Sequence, residues 1–247
     1  MLQADVGIIL NHFNYSETSV ILKVYTKKNG LVSIVKKGAR RKNSKTAAAA
    51  FQALSIVSVE YYYADKRDLF TGKSVDLWKP FKTLHTDVFK SSILLFINEI
   101  LYKTIQHPEE NEPLYEFIEN FLIGMDQAEF NPNVHLWFII KLTGFLGISP
   151  DIDGYKEGYV FELAEGGFRP ARNLKEDSTP ETAALIKEIM GMNFAALLGQ
   201  TQESGEHMKI PTKLRRDTLQ ALIDYYQIQL EGIKSINSHL VLKDLLE

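Results

Sequence analysis

The fold is decided by Ser19-Val20-Ile21-Leu22-Lys23-Val24-Tyr25-Thr26, followed by Lys27-Lys28-Asn29-Gly30 and then Leu31-Val32-Ser33-Ile34-Val35. Two segments rich in β-branched residues, which suit a pleated surface, flank an Asn-Gly pair. That pair is well able to take the left-handed backbone angles of a tight hairpin turn. Strand, turn and strand are expected. Upstream, residues 6–13 (Val-Gly-Ile-Ile-Leu-Asn-His-Phe) read as a preceding strand. Downstream, Leu54 to Tyr63 is strand-like with Val57, Val59, Tyr61 and Tyr63 on one face. Residues 64–68 make a polar turn, Leu69 to Leu77 reads as a fifth strand, and Trp78-Lys79-Pro80 closes the unit. Five strands in about eighty residues are too few for an immunoglobulin-like sandwich and suit a small closed barrel of the OB type.

Directly after the third strand the chain turns basic. Val35 to Ser44 and on to Lys45 contains Lys36, Lys37, Arg40, Arg41, Lys42 and Lys45 and no acid, in a protein of formal net charge -3. The charge is divided along the chain. Residues 1–80 carry 13 Lys and Arg against 6 Asp and Glu, a net of +7, and residues 81–247 carry 15 against 25, a net of -10. Such a split points to one part that meets a polyanion and another with a different task. An OB barrel with a cationic groove holds single-stranded nucleic acid when aromatic side chains offer stacking platforms beside it. The candidate platforms are Tyr61, Tyr62 and Tyr63, with Phe13, Tyr15 and Tyr25 behind them, and Tyr62 is the one assigned to the site. Alternate residues of a strand face the core, so at least one of the three consecutive tyrosines is expected to pack inward. Residues 46–50 (Thr-Ala-Ala-Ala-Ala) fit either a short helical turn or a mobile linker.

From Phe81 the apolar period changes from two to about 3.6. Helices are expected from Val88 to Ile105, from Glu112 to Gly124, from Asn133 to Gly147, from Pro180 to Leu198, from Pro211 to Leu230 with Thr212 as N-cap, and from Leu240 to Leu246. Residues 149–179 break the pattern and read as an irregular insertion with a small hairpin around Gly158 to Glu162. The expected fold class is α+β: an OB barrel over residues 1–80 and an all-helical domain over 81–247 that carries the insertion. Lys141 sits among Trp137, Phe138, Ile139, Ile140, Leu142 and Phe145. It reads either as a snorkelling side chain or, with Trp137, as the cationic rim of an apolar groove for an acidic peptide.

Several chemistries have no residues to carry them. There are no cysteines, which excludes disulfides, thiolate catalysis and cysteine-ligated metal. The six histidines (His12, His85, His107, His135, His207, His239) are never spaced as metal ligands on a helix. Thr71-Gly72-Lys73-Ser74 resembles the tail of a P-loop, but Arg67 occupies the place of its first glycine and a strand follows it. No nucleophile elbow or dinucleotide turn is present. The reading is a non-enzymatic protein with no cofactor, no metal and no small-molecule substrate. The N-terminus lacks the charged start and apolar core of a signal peptide, and no apolar segment is long enough to span a bilayer, so a cytoplasmic protein is expected.

The chain resembles the RecO family of bacterial recombination mediators over nearly its full length. The resemblance rests on Gly7-Ile8-Ile9-Leu10, Tyr15-Ser16-Glu17-Thr18-Ser19, Tyr25-Thr26, Gly30 and, above all, Lys37-Gly38-Ala39-Arg40-Arg41 after the third strand. Further along, residues 138–150 with Lys141 at a basic position, then Arg215-Arg216, Tyr225-Tyr226 and Ile233-Lys234-Ser235, follow in the family's order. The resemblance implies an OB-fold that binds single- and double-stranded DNA. It implies a helical domain that receives the C-terminal tail of single-stranded-DNA-binding protein. RecR as a partner, annealing of complementary strands, help in loading RecA, and a nucleoid-associated place in the cytoplasm follow with it. Two departures stand out. Many relatives carry a four-cysteine zinc module in the region of residues 150–178, where this chain has none, and Ser16 replaces a common glycine. The alternative reading is a helical adaptor whose barrel binds RNA or another protein.

Overall fold

The computed structural model describes residues 1–41, 48–64, 67–106, 108–172, 178–200 and 208–246. The chain forms two compact units, Met1–Gln127 and Ala128–Glu247.

The first unit is built on a five-stranded closed barrel: β1 (Leu2–Asn14), β2 (Val20–Thr26), β3 (Gly30–Lys36), β4 (Ile56–Tyr62) and β5 (Phe70–Lys79). Its strand order is β1-β2-β3-β5-β4. This is the OB arrangement, as expected. β1 is long enough to pair with β4 along its first half and with β2 along its second, and the register shifts between Ile9 and Asn11 where it bends from one partner to the other. β3 and β5 pair in parallel, Val35 opposite Thr71, and close the barrel. The alternation seen in the sequence becomes the core: Val20, Leu22 and Val24 meet Val32, Ile34, Val57, Val59, Tyr61 and Val75. Each such side chain contributes about 1.5–3 kcal/mol by leaving water. The Asn29-Gly30 turn is present, with Gly30 at φ 60°. A short 3-10 turn at Ala48–Phe51 precedes β4.

Two helices, α1 (Val88–Thr104) and α2 (Glu112–Gln127), belong to this same unit. The sequence reading places the change from barrel to helices after residue 80, and contacts that a linear pattern does not show hold these two helices to the barrel. Tyr25 donates its hydroxyl to the Asn111 carbonyl at 3.2 Å, Lys27 pairs with Glu112 and Glu116 at 2.9 Å each, and Lys79 pairs with Glu119 at 2.9 Å. Asp87 starts α1 by accepting from the amides of Phe89 and Lys90. Asp126 at the end of α2 accepts from the amides of Lys82, Thr83 and Leu84, and so fixes the segment that leaves β5.

The second unit contains α3 (Val134–Phe145), α4 (Pro180–Gly191), α5 (Phe194–Leu197), α6 (Thr212–Gln229) and α7 (His239–Leu246), with a hairpin of β6 (Tyr159–Glu162) and β7 (Gly167–Pro170). α3 is apolar on all sides because all but three of its residues are buried, as expected of a central helix. Tyr225 and Tyr226 of α6 reach the carbonyls of Ile148 and Ile139 at 2.7 and 2.6 Å. The hairpin lies inside the expected insertion. It is organised by Phe161, which packs against Phe168 and Tyr225, and by Ser178, whose hydroxyl satisfies both backbone groups of Phe161.

Two details differ from the sequence reading. The helix expected from Pro180 to Leu198 is broken after Gly191, because the Asn193 side chain caps a new turn at the amide of Ala196. Thr212 is the first residue of α6 and not its N-cap. Pro211 holds that place, and the Thr212 hydroxyl accepts from Arg215.

Candidate nucleic-acid interface

The basic segment leaves β3 as a tied-down turn. Gly38, at φ 71°, allows the chain to reverse, and Ala39 inserts into the barrel core with 8% of its surface exposed. The Arg40 amide donates to the Thr18 carbonyl at 3.1 Å, and its guanidinium donates to the Ser16 carbonyl at 3.2 Å. The turn is thereby fastened to the β1–β2 loop. That loop is closed by the Tyr15 amide on the Ser19 carbonyl at 3.0 Å and by the Ser19 amide on the Ser16 hydroxyl at 3.2 Å. Serine at position 16 thus seals its turn with its own side chain.

The charges sort by location. Lys27 and Lys79 are neutralised by the acidic face of α2, and the carboxylates of Glu112 and Glu116 push the Lys27 pKa up. Lys73 pairs with Glu60 at 3.2 Å, and Glu60 is held below the usual carboxylate range by the Ser74 hydroxyl first and Lys73 second. Lys36 donates to the Lys73 carbonyl at 2.7 Å. Among the described residues no carboxylate pairs with Lys37, Arg40 or Arg41, and all three are exposed. Lys42 and Lys45 lie outside the described residues.

The aromatic candidates separate as the pleat requires. Tyr61 is fully buried, accepts from Asn29 through its hydroxyl, and has its pKa pushed up to about 12 by burial. Tyr63 stacks on Phe70 at 5.1 Å, and Tyr25 is buried under Asn111. Tyr62 faces out with 52% of its surface exposed, in a row where Leu2, Tyr62 and Thr71 lie side by side and Thr71 neighbours Val35 of β3. Phe13 and Tyr15 are exposed as well, by 43% and 59%.

In the second unit, Trp137 and Lys141 point at the end of α4. The Trp137 indole N–H donates to the Met192 carbonyl at 2.9 Å, its ring stacks on Phe194 at 4.7 Å, and it is buried. Lys141 Nζ donates to the Met190 carbonyl at 2.6 Å with the Trp137 ring 5.9 Å away, and burial pulls its pKa down. A different surface combines apolar walls with cations. A cavity of about 160 Å³ between α6 and α7 has Leu219, Leu242 and Leu246 as apolar walls and Arg215, Arg216 and Lys243 as cations. Among the described residues no acid lines it, although the unit as a whole holds 12 Lys and Arg against 17 Asp and Glu. Arg215-Arg216 was visible in the sequence, but the packing of α7 on α6 that makes the groove was not. Among the described residues no group of three or more His, Asp or Glu could hold a metal ion, and no helix is long and apolar enough to cross a membrane.

Comparison with known proteins covers the whole chain. Residues 1–81 match the family model described as recombination protein O N terminal, and residues 85–236 match recombination protein O C terminal. A DNA repair protein RecO from Phocaeicola vulgatus is 33% identical over 99% of both chains. One from Bacteroides fragilis is 30% identical over the full length of both, and one from Flavobacterium psychrophilum is 34% identical over 97% of both.

Proposed function

The chain belongs to the recombination protein O (RecO) family, and from that premise we propose that it is a DNA repair and homologous recombination mediator whose barrel holds DNA by its phosphates. It binds single and double strands without sequence preference and anneals complementary strands coated by single-stranded-DNA-binding protein. With RecR it helps load RecA, and it works in the cytoplasm at the nucleoid. The observation that carries this reading is the turn at Lys37, Arg40 and Arg41: three exposed cations, none paired with an acid among the described residues, on backbone anchored in the barrel. Lysine and arginine hold phosphates by releasing condensed counterions, a force indifferent to base sequence. Annealing forms no covalent bond, so no catalytic group and no cofactor are needed.

The second task is to find the coated strand. An acidic, apolar-ended tail would meet the exposed Lys243 and leucine walls in the α6–α7 groove, where Arg215 is held by the Leu246 carbonyl, while Trp137 and Lys141 use their polar atoms on α4. We place the tail in the groove, and retain the Trp137–Lys141 surface as the alternative to be tested against it.

The deciding experiment is titration of labelled single-stranded DNA, duplex DNA and RNA into the protein and into the double variant Arg40→Ala, Arg41→Ala across a salt series. Loss of two contacts lowers the slope of log affinity against log salt by about 1.4 on single strands. Equal weakening on every sequence supports the reading, and unchanged affinity at low salt removes the turn from the site. Binding of RNA with none of DNA would favour the adaptor.

A further inference from the structure

Charge does not mark the β1–β2 loop as part of the interface, since its one charged residue is the acid Glu17, although Tyr15 is among the candidate platforms. Its geometry says otherwise. Arg40 grips that loop twice, by its amide on Thr18 and its guanidinium on Ser16, so the residue that opens the loop is carried at a fixed place beside the basic turn. That residue is Tyr15. It follows the last residue of β1, its amide closes the loop on Ser19, and 59% of its surface is exposed, more than for any other aromatic residue among the exposed large apolar side chains. Glu17 makes no ion pair with Arg40 or Arg41 among the described residues, so the guanidinium donors that Ser16 does not use remain open to an anion.

The register places this ring across the barrel end from the other exposed tyrosine. At the end of β3, Lys36 neighbours Val20 of β2, which neighbours Asn14 of β1, the residue before Tyr15. On the opposite side, Val35 neighbours Thr71 of β5, which neighbours Tyr62 of β4. The cationic turn emerges between the two rings, each two strands away, or about 10 Å at ordinary strand spacing. A phosphate chain lying over Lys37, Arg40 and Arg41 would have an aromatic face on either flank.

We propose that Tyr15 is a base-stacking platform for single-stranded DNA, positioned by Arg40, and that it supplies a preference for unpaired over paired strands. The proposal rests on the reading of the basic turn as a phosphate site. A duplex keeps its bases stacked on each other and cannot offer one to the ring, whereas an unpaired base can, whatever its identity.

The test is fluorescence anisotropy with labelled oligo-thymidine and a duplex of equal length, at one salt concentration and across a salt series, using the full chain. Tyr15→Ala should lose about tenfold in affinity for the single strand, with little change on the duplex and an unchanged salt slope. Tyr15→Phe, which keeps the ring, should bind like the parent. Parent-like single-strand binding by Tyr15→Ala, or an equal loss on the duplex, overturns the stacking role while the phosphate reading stands. An Arg40→Ala, Arg41→Ala variant that binds DNA undiminished, or a parent protein that binds none, overturns both.

Discussion

Lys141 Nζ lies 2.6 Å from the carbonyl oxygen of Met190, so the one lysine of the most apolar helix caps the end of another helix. The last carbonyls of a helix lack partners within it and carry partial negative charge, which an ammonium satisfies. Lys141→Gln keeps a donor and should cost about 1 kcal/mol or less. Lys141→Glu sets a carboxylate against the same carbonyls and should cost about 2 kcal/mol or more. Urea midpoints of the two variants check this. Equal midpoints would mean that the capping bond contributes nothing.

Two glycines with left-handed backbone should respond differently to the same change. Gly30 is at φ 60° and a Cβ there would run into the Glu109 backbone, while Gly147 is at φ 73° with open space around it. Gly147→Ala should cost about 1 kcal/mol, the penalty of an L residue in that region. Gly30→Ala adds displacement of the connection between α1 and α2 and should cost about 3 kcal/mol. Thermal unfolding of both variants tests the difference. A Gly30→Ala no worse than Gly147→Ala would show that the connection yields freely.

What the sequence revealed and what it hid divides by range. The strands of the barrel, the Asn29-Gly30 turn and the exposure of Tyr62 against the burial of Tyr61 follow from alternation and turn chemistry, which act between near neighbours. The basic turn was conspicuous by composition alone. Hidden were matters settled by distant partners. The hold of α2 on the barrel depends on Lys27 and Lys79 reaching residues 112 to 119, and Trp137 and Lys141 are turned to α4 by carbonyls some fifty residues away. The break after Gly191 was missed because Pro180 to Leu198 keeps an apolar period through it. The bond from the Arg40 guanidinium to the Ser16 carbonyl likewise spans distant residues, and no local pattern announces it.

The two candidate surfaces for an acidic tail can be separated. Lys243 is exposed on the rim of the α6–α7 groove, away from the helix-capping contacts of Lys141. Lys243→Glu should weaken binding of a labelled acidic peptide ending in an aromatic residue by about tenfold, as a rim charge reversal in a small interface does. Lys141→Gln should leave it within about twofold. The reverse result, read by anisotropy, would move the tail to α3 and α4.

His135 sets a pH dependence whose sign can be worked out. The imidazole is buried, with 1% exposed, and burial first and the positive charge of Arg215 second hold its pKa down at about 3. In the unfolded chain it titrates near 6.5. Between those values the unfolded state binds a proton that the folded state refuses. Its contribution to stability is therefore complete above about pH 6.5 and is lost as the pH falls, at up to about 1.4 kcal/mol per pH unit for the one proton. Other groups also titrate in this range, so the comparison is with His135→Gln, which removes the proton and keeps a similar polar shape. Stability of the parent should fall more steeply than that of the variant between pH 6.5 and 5, by about 1.5–2 kcal/mol in total. The ring resonances of His135 should remain those of a neutral imidazole throughout. A titration midpoint near 6.5 for those resonances would falsify the burial argument, because a histidine that takes up its proton in the folded chain has no proton left to distinguish the two states.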